Sequence, residues 1–182
     1  VSGVQVKGFL GEGVGIAVLD TGVDYGHPEL SPGGTGPGAK TVKLFDAVDN
    51  DQDPRDQQGH GTSVAGIAAG GDGGVAPRAT VVAVRVLDSE GEGDSEQILA
   101  GIDAVLGSVR AGNPYNIRVL NMSLGGYGDD WQPGSGICDD IDPAFATAFR
   151  ALTAAGVLVV VASGNGGCRN GVAWPACMSD VL

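Results

Sequence analysis

The chain has 182 residues and a formal net charge of −12, with 10 Lys plus Arg against 22 Asp plus Glu. That balance argues against nucleic acid or an anionic membrane surface as the main partner, because both select for basic patches. Only 18% of residues are charged and 42% are hydrophobic, unlike a disordered acidic tail, and no apolar run approaches the ~18 residues of a membrane span.

In chain order, the first apolar, β-branched run is Gly15-Ile16-Ala17-Val18-Leu19. Next comes Gly59-His60-Gly61-Thr62-Ser63-Val64-Ala65-Gly66-Ile67-Ala68-Ala69-Gly70, whose small residues predict a helix packed against other backbone, with His60 near its N-terminus. A second apolar run covers Thr80-Val81-Val82-Ala83-Val84-Arg85-Val86-Leu87. Ile98, Leu99, Ile102, Val105, Leu106 and Val109 then recur at helical spacing, with Asp94-Ser95 as an N-cap and Gly112 as a stop. Arg118-Val119-Leu120-Asn121-Met122 is a third run. Asp142 as cap, Pro143 at the first position and Gly156 at the end predict another helix, with Phe145, Ala148, Phe149 and Leu152 on its apolar face. The fourth run is Val157-Leu158-Val159-Val160-Val161. Continuous apolar runs suit strands buried on both faces. Their alternation with helices predicts one α/β domain with a doubly wound, mainly parallel sheet and helices on both faces. The 33 glycines follow no collagen period and mark turns. The chain begins Val1-Ser2-Gly3, with no basic stretch and apolar run of a secretory leader, as a mature form also would.

In an open α/β sheet, sites lie beyond the carboxyl ends of the strands. Asp20-Thr21-Gly22, Ser123-Leu124-Gly125-Gly126 and Ser163-Gly164-Asn165-Gly166 each follow a predicted strand and would open on one edge. Every strand needs a turn, so this pattern alone does not define a site. His60 does more. A lone histidine is most often structural, but this one is flanked by glycines and preceded by a polar loop. An unperturbed imidazole titrates near neutrality and suits general-base work, and a neighbouring carboxylate would fix its tautomer.

Five segments carry a family resemblance. Val18-Leu19-Asp20-Thr21-Gly22-Val23-Asp24 resembles the Asp motif of subtilisin-like serine proteases, the subtilases. Gly59-His60-Gly61-Thr62-Ser63-Val64-Ala65-Gly66 is similar to their His motif, and Gly74-Val75-Ala76-Pro77-Arg78-Ala79 to the segment leading into the next strand. Asn121-Met122-Ser123-Leu124-Gly125-Gly126 resembles the strand that pairs with extended substrate, and Val161-Ala162-Ser163-Gly164-Asn165 the oxyanion-hole turn. The resemblance implies that Asp20 orients His60, that His60 is the general base and that Asn165 donates to the tetrahedral oxyanion. It implies that Ser123, Leu124 and Gly125 pair with substrate backbone, and that Ala162, Ser163 and Gly164 line the primary specificity pocket.

The family's nucleophile motif, Gly-Thr-Ser-Met-Ala followed by Pro, is missing from residues 1–182, which therefore read as a partial catalytic domain, incomplete at the C-terminus. Gly61-Thr62-Ser63-Val64-Ala65 imitates that motif, but it directly follows His60 and lacks the trailing proline. The expected function is a secreted serine endopeptidase acting on peptide or protein substrates. Its nucleophile would come from outside these residues, and a prodomain or the remainder of the domain would be a partner. A non-catalytic calcium- or peptide-binding module on the same scaffold is the alternative.

Asp46, Asp49, Asp51 and Asp53 lie in a loop with five carboxylates between Asp46 and Asp56. Such oxygen-rich spacing suits Ca²⁺ and equally suits a solvated acidic loop. Some subtilases bind calcium in the matching loop, so the resemblance implies structural Ca²⁺ there. The three cysteines allow three single pairings. The resemblance favours Cys138–Cys177, leaving Cys168 free, with Cys168–Cys177 as runner-up. His27, Trp131 and Trp174 read as packing residues, and Gly11-Glu12-Gly13-Val14-Gly15 precedes its strand, so it is not a phosphate loop.

Overall fold

A computed structural model describes residues 8–34, 38–126, 136–167 and 171–182. Cys168 and Trp131 lie outside the described residues. Five strands form one parallel sheet: β1 (Gly15–Asp20), β2 (Thr41–Asp46), β3 (Thr80–Arg85), β4 (Ile117–Met122) and β5 (Leu158–Val161), in the spatial order β2-β3-β1-β4-β5. Among the described residues three helices accompany them: α1 (His60–Ala69), α2 (Ser95–Arg110) and α3 (Pro143–Ala154). The expected doubly wound α/β architecture is present. One strand was not anticipated, the edge strand β2. Lys43 interrupts its apolar pattern and its burial is mixed, so it lacks the continuous apolar signal of the inner strands.

Side chains alternate between the two faces of the sheet. Ala17 and Leu19 of β1 join Val82 and Val84 of β3 in the larger core, under Ile98, Ile102 and Val105 of α2 and Phe145, Phe149 and Leu152 of α3. Val18 of β1 joins Val81 and Ala83 of β3 on the opposite face, under Ala65 and Ala69 of α1. The second core is built from smaller residues, so α1 lies close to the sheet. Gly61 shows how close: a Cβ there would fall 2.2 Å from the Gly22 carbonyl oxygen and 3.0 Å from Asp20 Cβ.

The α1 side is covered only in part. The register places Val119 and Asn121 of β4 beside Ile16 and Val18, and Leu158 and Val160 of β5 beside Val119 and Asn121. Among the described residues, the helix contacts on this side run from α1 to β1 and β3, while Leu158 remains 49% exposed. Beyond β5, Leu182 pairs with the strand edge through hydrogen bonds to the Val159 carbonyl and from the Val161 N–H. Cys138 and Cys177 form a disulfide with Cα atoms 5.4 Å apart, the pairing the resemblance favoured.

Candidate active site

The strand order reverses at β1, because the chain leaves it for one edge of the sheet and returns to its other side at β4. The crevice beyond such a strand is where α/β sheets bind ligands. Asp20 is the last residue of β1 and is fully buried. His60, the first residue of α1, places Nδ1 2.8 Å from Asp20 Oδ1. The same oxygen accepts the Thr21 backbone N–H at 2.8 Å, while Asp20 Oδ2 is buried with no hydrogen-bond partner among the described residues. Burial pushes the Asp20 carboxyl above its ordinary range, against the opposing hydrogen bonds from His60 and Thr21. The His60 side chain is 49% exposed, so one end of the ring is fixed by a buried carboxylate and the other reaches solvent. Such an asymmetry is what general-base chemistry requires: Nδ1–H can donate to Asp20 while Nε2 is left to accept a proton on the solvent side.

The cleft beside His60 encloses about 650 Å³. One wall is Ser123, Leu124, Gly125 and Gly126 after β4; the other includes Ala162, Gly164 and Asn165 after β5. Leu124 and Gly125 make no backbone hydrogen bond to another described residue, so this stretch offers an open edge that an extended peptide can pair with. Gly125 must stay a glycine, since a Cβ would fall 2.9 Å from the Trp174 carbonyl oxygen. Ser163 lies between Ala162 and Gly164 and is exposed. Its carbonyl accepts the Ala173 N–H at 2.9 Å, and its neighbours form the wall. Asn165 is exposed at the cleft, where its amide can donate to an oxyanion.

Ser63 lies elsewhere. Its hydroxyl donates to the Gly59 carbonyl at 2.9 Å, and it lines a different groove with Asp24, His27 and Asp72. A serine turned away from the imidazole and bonded to backbone has no base to activate it.

Sequence reading missed other parts of the site. Leu87, Glu90, Gly91, Glu92 and Ile98 close the cleft on the side of β3 and α2. Trp174, given no role in advance, lines the cleft and packs edge-on against Phe145 with ring centroids 4.7 Å apart. These residues come from distant segments and carry no local motif.

The carboxylates assigned to calcium are engaged elsewhere. Arg85 Nη1 contacts Asp46 at 3.0 Å and Asp49 at 2.7 Å, and both Arg85 and Asp46 are buried. Lys43 and the Tyr25 hydroxyl converge on Asp53, holding its carboxyl below the ordinary range. Asp51 Oδ1 accepts the Asp53 backbone N–H at 2.7 Å. Among the described residues, no group of three or more His, Cys, Asp or Glu is placed to hold a metal ion. A guanidinium between Asp46 and Asp49 supplies the charge a cation would, so this donor set does not fit Ca²⁺.

Residues 11–182 match the family model described as the subtilase family. A thermophilic serine proteinase of Bacillus sp. is 39% identical over 158 residues, covering 84% of this chain and 33% of that protein. The minor extracellular protease Vpr of Bacillus subtilis is 37% identical over 173 residues, covering 88% of this chain and 18% of that protein. A solved structure of a cold-adapted subtilisin-like serine proteinase superposes with a TM-score of 0.69 at 35% identity, over 92% of this chain and 52% of that one. The chain thus spans between about a fifth and about half the length of these relatives.

Proposed function

The chain belongs to the subtilase family, and from that premise we propose that the protein containing it is a serine endopeptidase whose acid–base pair is Asp20 and His60. The observation that carries this reading is the 2.8 Å contact between a fully buried carboxylate and a half-exposed imidazole at the switch point of the sheet. His60 removes the proton from a serine hydroxyl as that oxygen attacks the scissile carbonyl. It then delivers the proton to the leaving amine, and the acyl-enzyme is released by water through the same base. Asn165 stabilises the oxyanion, and the backbone of Ser123–Gly125 holds the substrate extended. The serine is carried by a segment outside these residues. The α1-side face of β4 and β5, which no described helix covers, is the place beside His60 for that segment. The protein acts outside the cell, a reading supported by the Cys138–Cys177 bridge, which persists in oxidising compartments, and by the relative described as extracellular.

A fluorophosphonate probe followed by intact mass tests the reading. The expected result is an adduct on a species longer than these 182 residues, abolished by His60→Ala, with none on the 182-residue chain alone. An adduct on Ser63 of the shorter chain would overturn the assignment. A longer folded species that takes no adduct would replace the enzyme with a peptide-binding module.

A further inference from the structure

We infer that Asp56 is a positioning residue that holds Asp20 and His60 in register by tying the end of β1 to the start of α1. The inference rests on the reading of that pair as the acid–base couple. Asp56 lies four residues before His60 in the loop between β2 and α1, and it touches neither member of the pair. Its Oδ1 accepts from the Thr21 hydroxyl at 2.8 Å, from Gln58 N–H at 2.9 Å and from Gly59 N–H at 2.8 Å. Its Oδ2 accepts from the backbone N–H of Thr62 at 2.9 Å and from the Thr62 hydroxyl.

The two threonines extend the network to both partners. Thr21 follows Asp20, and its hydroxyl oxygen accepts the N–H of Gly61, the residue after His60, at 2.9 Å. Thr62 Oγ1 accepts the N–H of Asp24, beyond the turn that leaves β1, at 2.8 Å. The direction of these bonds matters. An ionised carboxylate can only accept, so both hydroxyls must spend their single protons on Asp56 and present lone pairs to Gly61 and Asp24. Burial pushes the Asp56 carboxyl up, but the bonds from Thr62, Gly59 and Gln58 together outweigh it and hold the group below the ordinary carboxylate range. The charge of Asp56 opposes ionisation of Asp20. Electrostatic assistance to the pair therefore does not explain Asp56, whereas geometry does.

The Nδ1–H proton of His60 in the full-length protein reports on the register, through its exchange rate with solvent measured by NMR. Asp56→Asn supplies an amide that can donate to one threonine and reverse its bond. Thr21→Val removes the single hydroxyl between Asp56 and Gly61, and it carries the comparison should Asp56→Asn not fold. Both variants are expected to raise the exchange rate about tenfold or more, the scale of a lost hydrogen bond to a charged group. Thr21→Ser, which keeps the hydroxyl, is expected to restore slow exchange. Asp94→Ala, which removes the cap of α2 far from the site, is expected to leave the rate unchanged. Unchanged exchange in both Asp56→Asn and Thr21→Val overturns the inference. So does an equal rise in Asp94→Ala, which would mark general loss of stability. If wild type exchanges as fast as Asp20→Asn, the Asp20–His60 contact is itself absent, and the reading beneath the inference fails.

Discussion

Helices α1 and α2 both begin with side chains satisfying their first free N–H groups, but the acceptors come from different distances along the chain. In α2 the cap is local: Asp94 accepts from Gln97 N–H at 2.8 Å, and Gln97 returns a bond to Asp94 N–H at 3.0 Å. In α1 the N-cap residue Gly59 has no side chain to offer. Its N–H goes to Asp56, that of His60 to Gln58, that of Gly61 to Thr21 and that of Thr62 again to Asp56. A local cap stabilises a helix without saying where it sits. A cap that includes Thr21, the residue after β1, also fixes the helix against the strand, and this is the helix that carries His60.

The comparison breaks most severely at the glycines. Gly61→Ala drives a Cβ into backbone at 2.2 Å, whereas the Cβ of Gly101→Ala in α2 meets a side chain, Val86 Cγ1, at 2.4 Å. Urea unfolding is expected to show a loss of about 3 kcal/mol for the first and clearly less for the second, where the obstacle is a side chain and alanine favours the helix. Comparable losses would mean that α1 is no more tightly seated than α2.

At the caps, Asp56→Ala leaves several donors short of an acceptor and is expected to cost about 2 kcal/mol, with His60 displaced. Asp94→Ala is expected to cost about 1 kcal/mol and to leave the cleft as it is. In the complete enzyme, Asn165→Ala is expected to lower kcat by about 10²–10³, the loss reported for an oxyanion donor in subtilisin itself, without changing the stability of either helix.

The smallest effect is in the pH dependence, where the two aspartates near α1 have opposite signs. Asp56 has a depressed folded-state pKa, so the stability it contributes is present above the unfolded carboxylate value and is lost as pH falls through the folded one. Asp20 is raised, so its contribution is present below the unfolded value and is lost as pH rises through the folded one. Denaturation midpoints across the acid range should therefore show the deficit of Asp56→Asn growing with pH. Asp20→Asn should gain on wild type by under about 1 kcal/mol as pH approaches neutrality. Parallel curves for the two variants would remove the distinction.

The acidic loop offers a separate check on the calcium expectation. With Arg85 and Lys43 serving its carboxylates, a chelator is expected to leave the thermal midpoint unchanged, and a fall reversed by added Ca²⁺ would restore the ion to this loop.

Much of this was legible in the residues. The inner strands announced themselves because burial on both faces demands unbroken apolar runs, and α2 and α3 because their caps lie within three residues of the bonds they make. Asp20 and His60 stood in recognisable local segments. What stayed hidden was set by neighbours far along the chain. β2 is a strand because β3 pairs with it. Asp46 and Asp49 face Arg85 because parallel register brings Asp46 beside Arg85. Ser63 faces away from the cleft because of its place on α1. The sequence by itself determined the alternation of strands and helices and singled out Asp20 and His60 as the candidate pair, since both are written in short segments. Only the tertiary structure decided that Asp56 ties that pair together, because Thr21, Asp56 and Thr62 meet only when β1 and α1 pack.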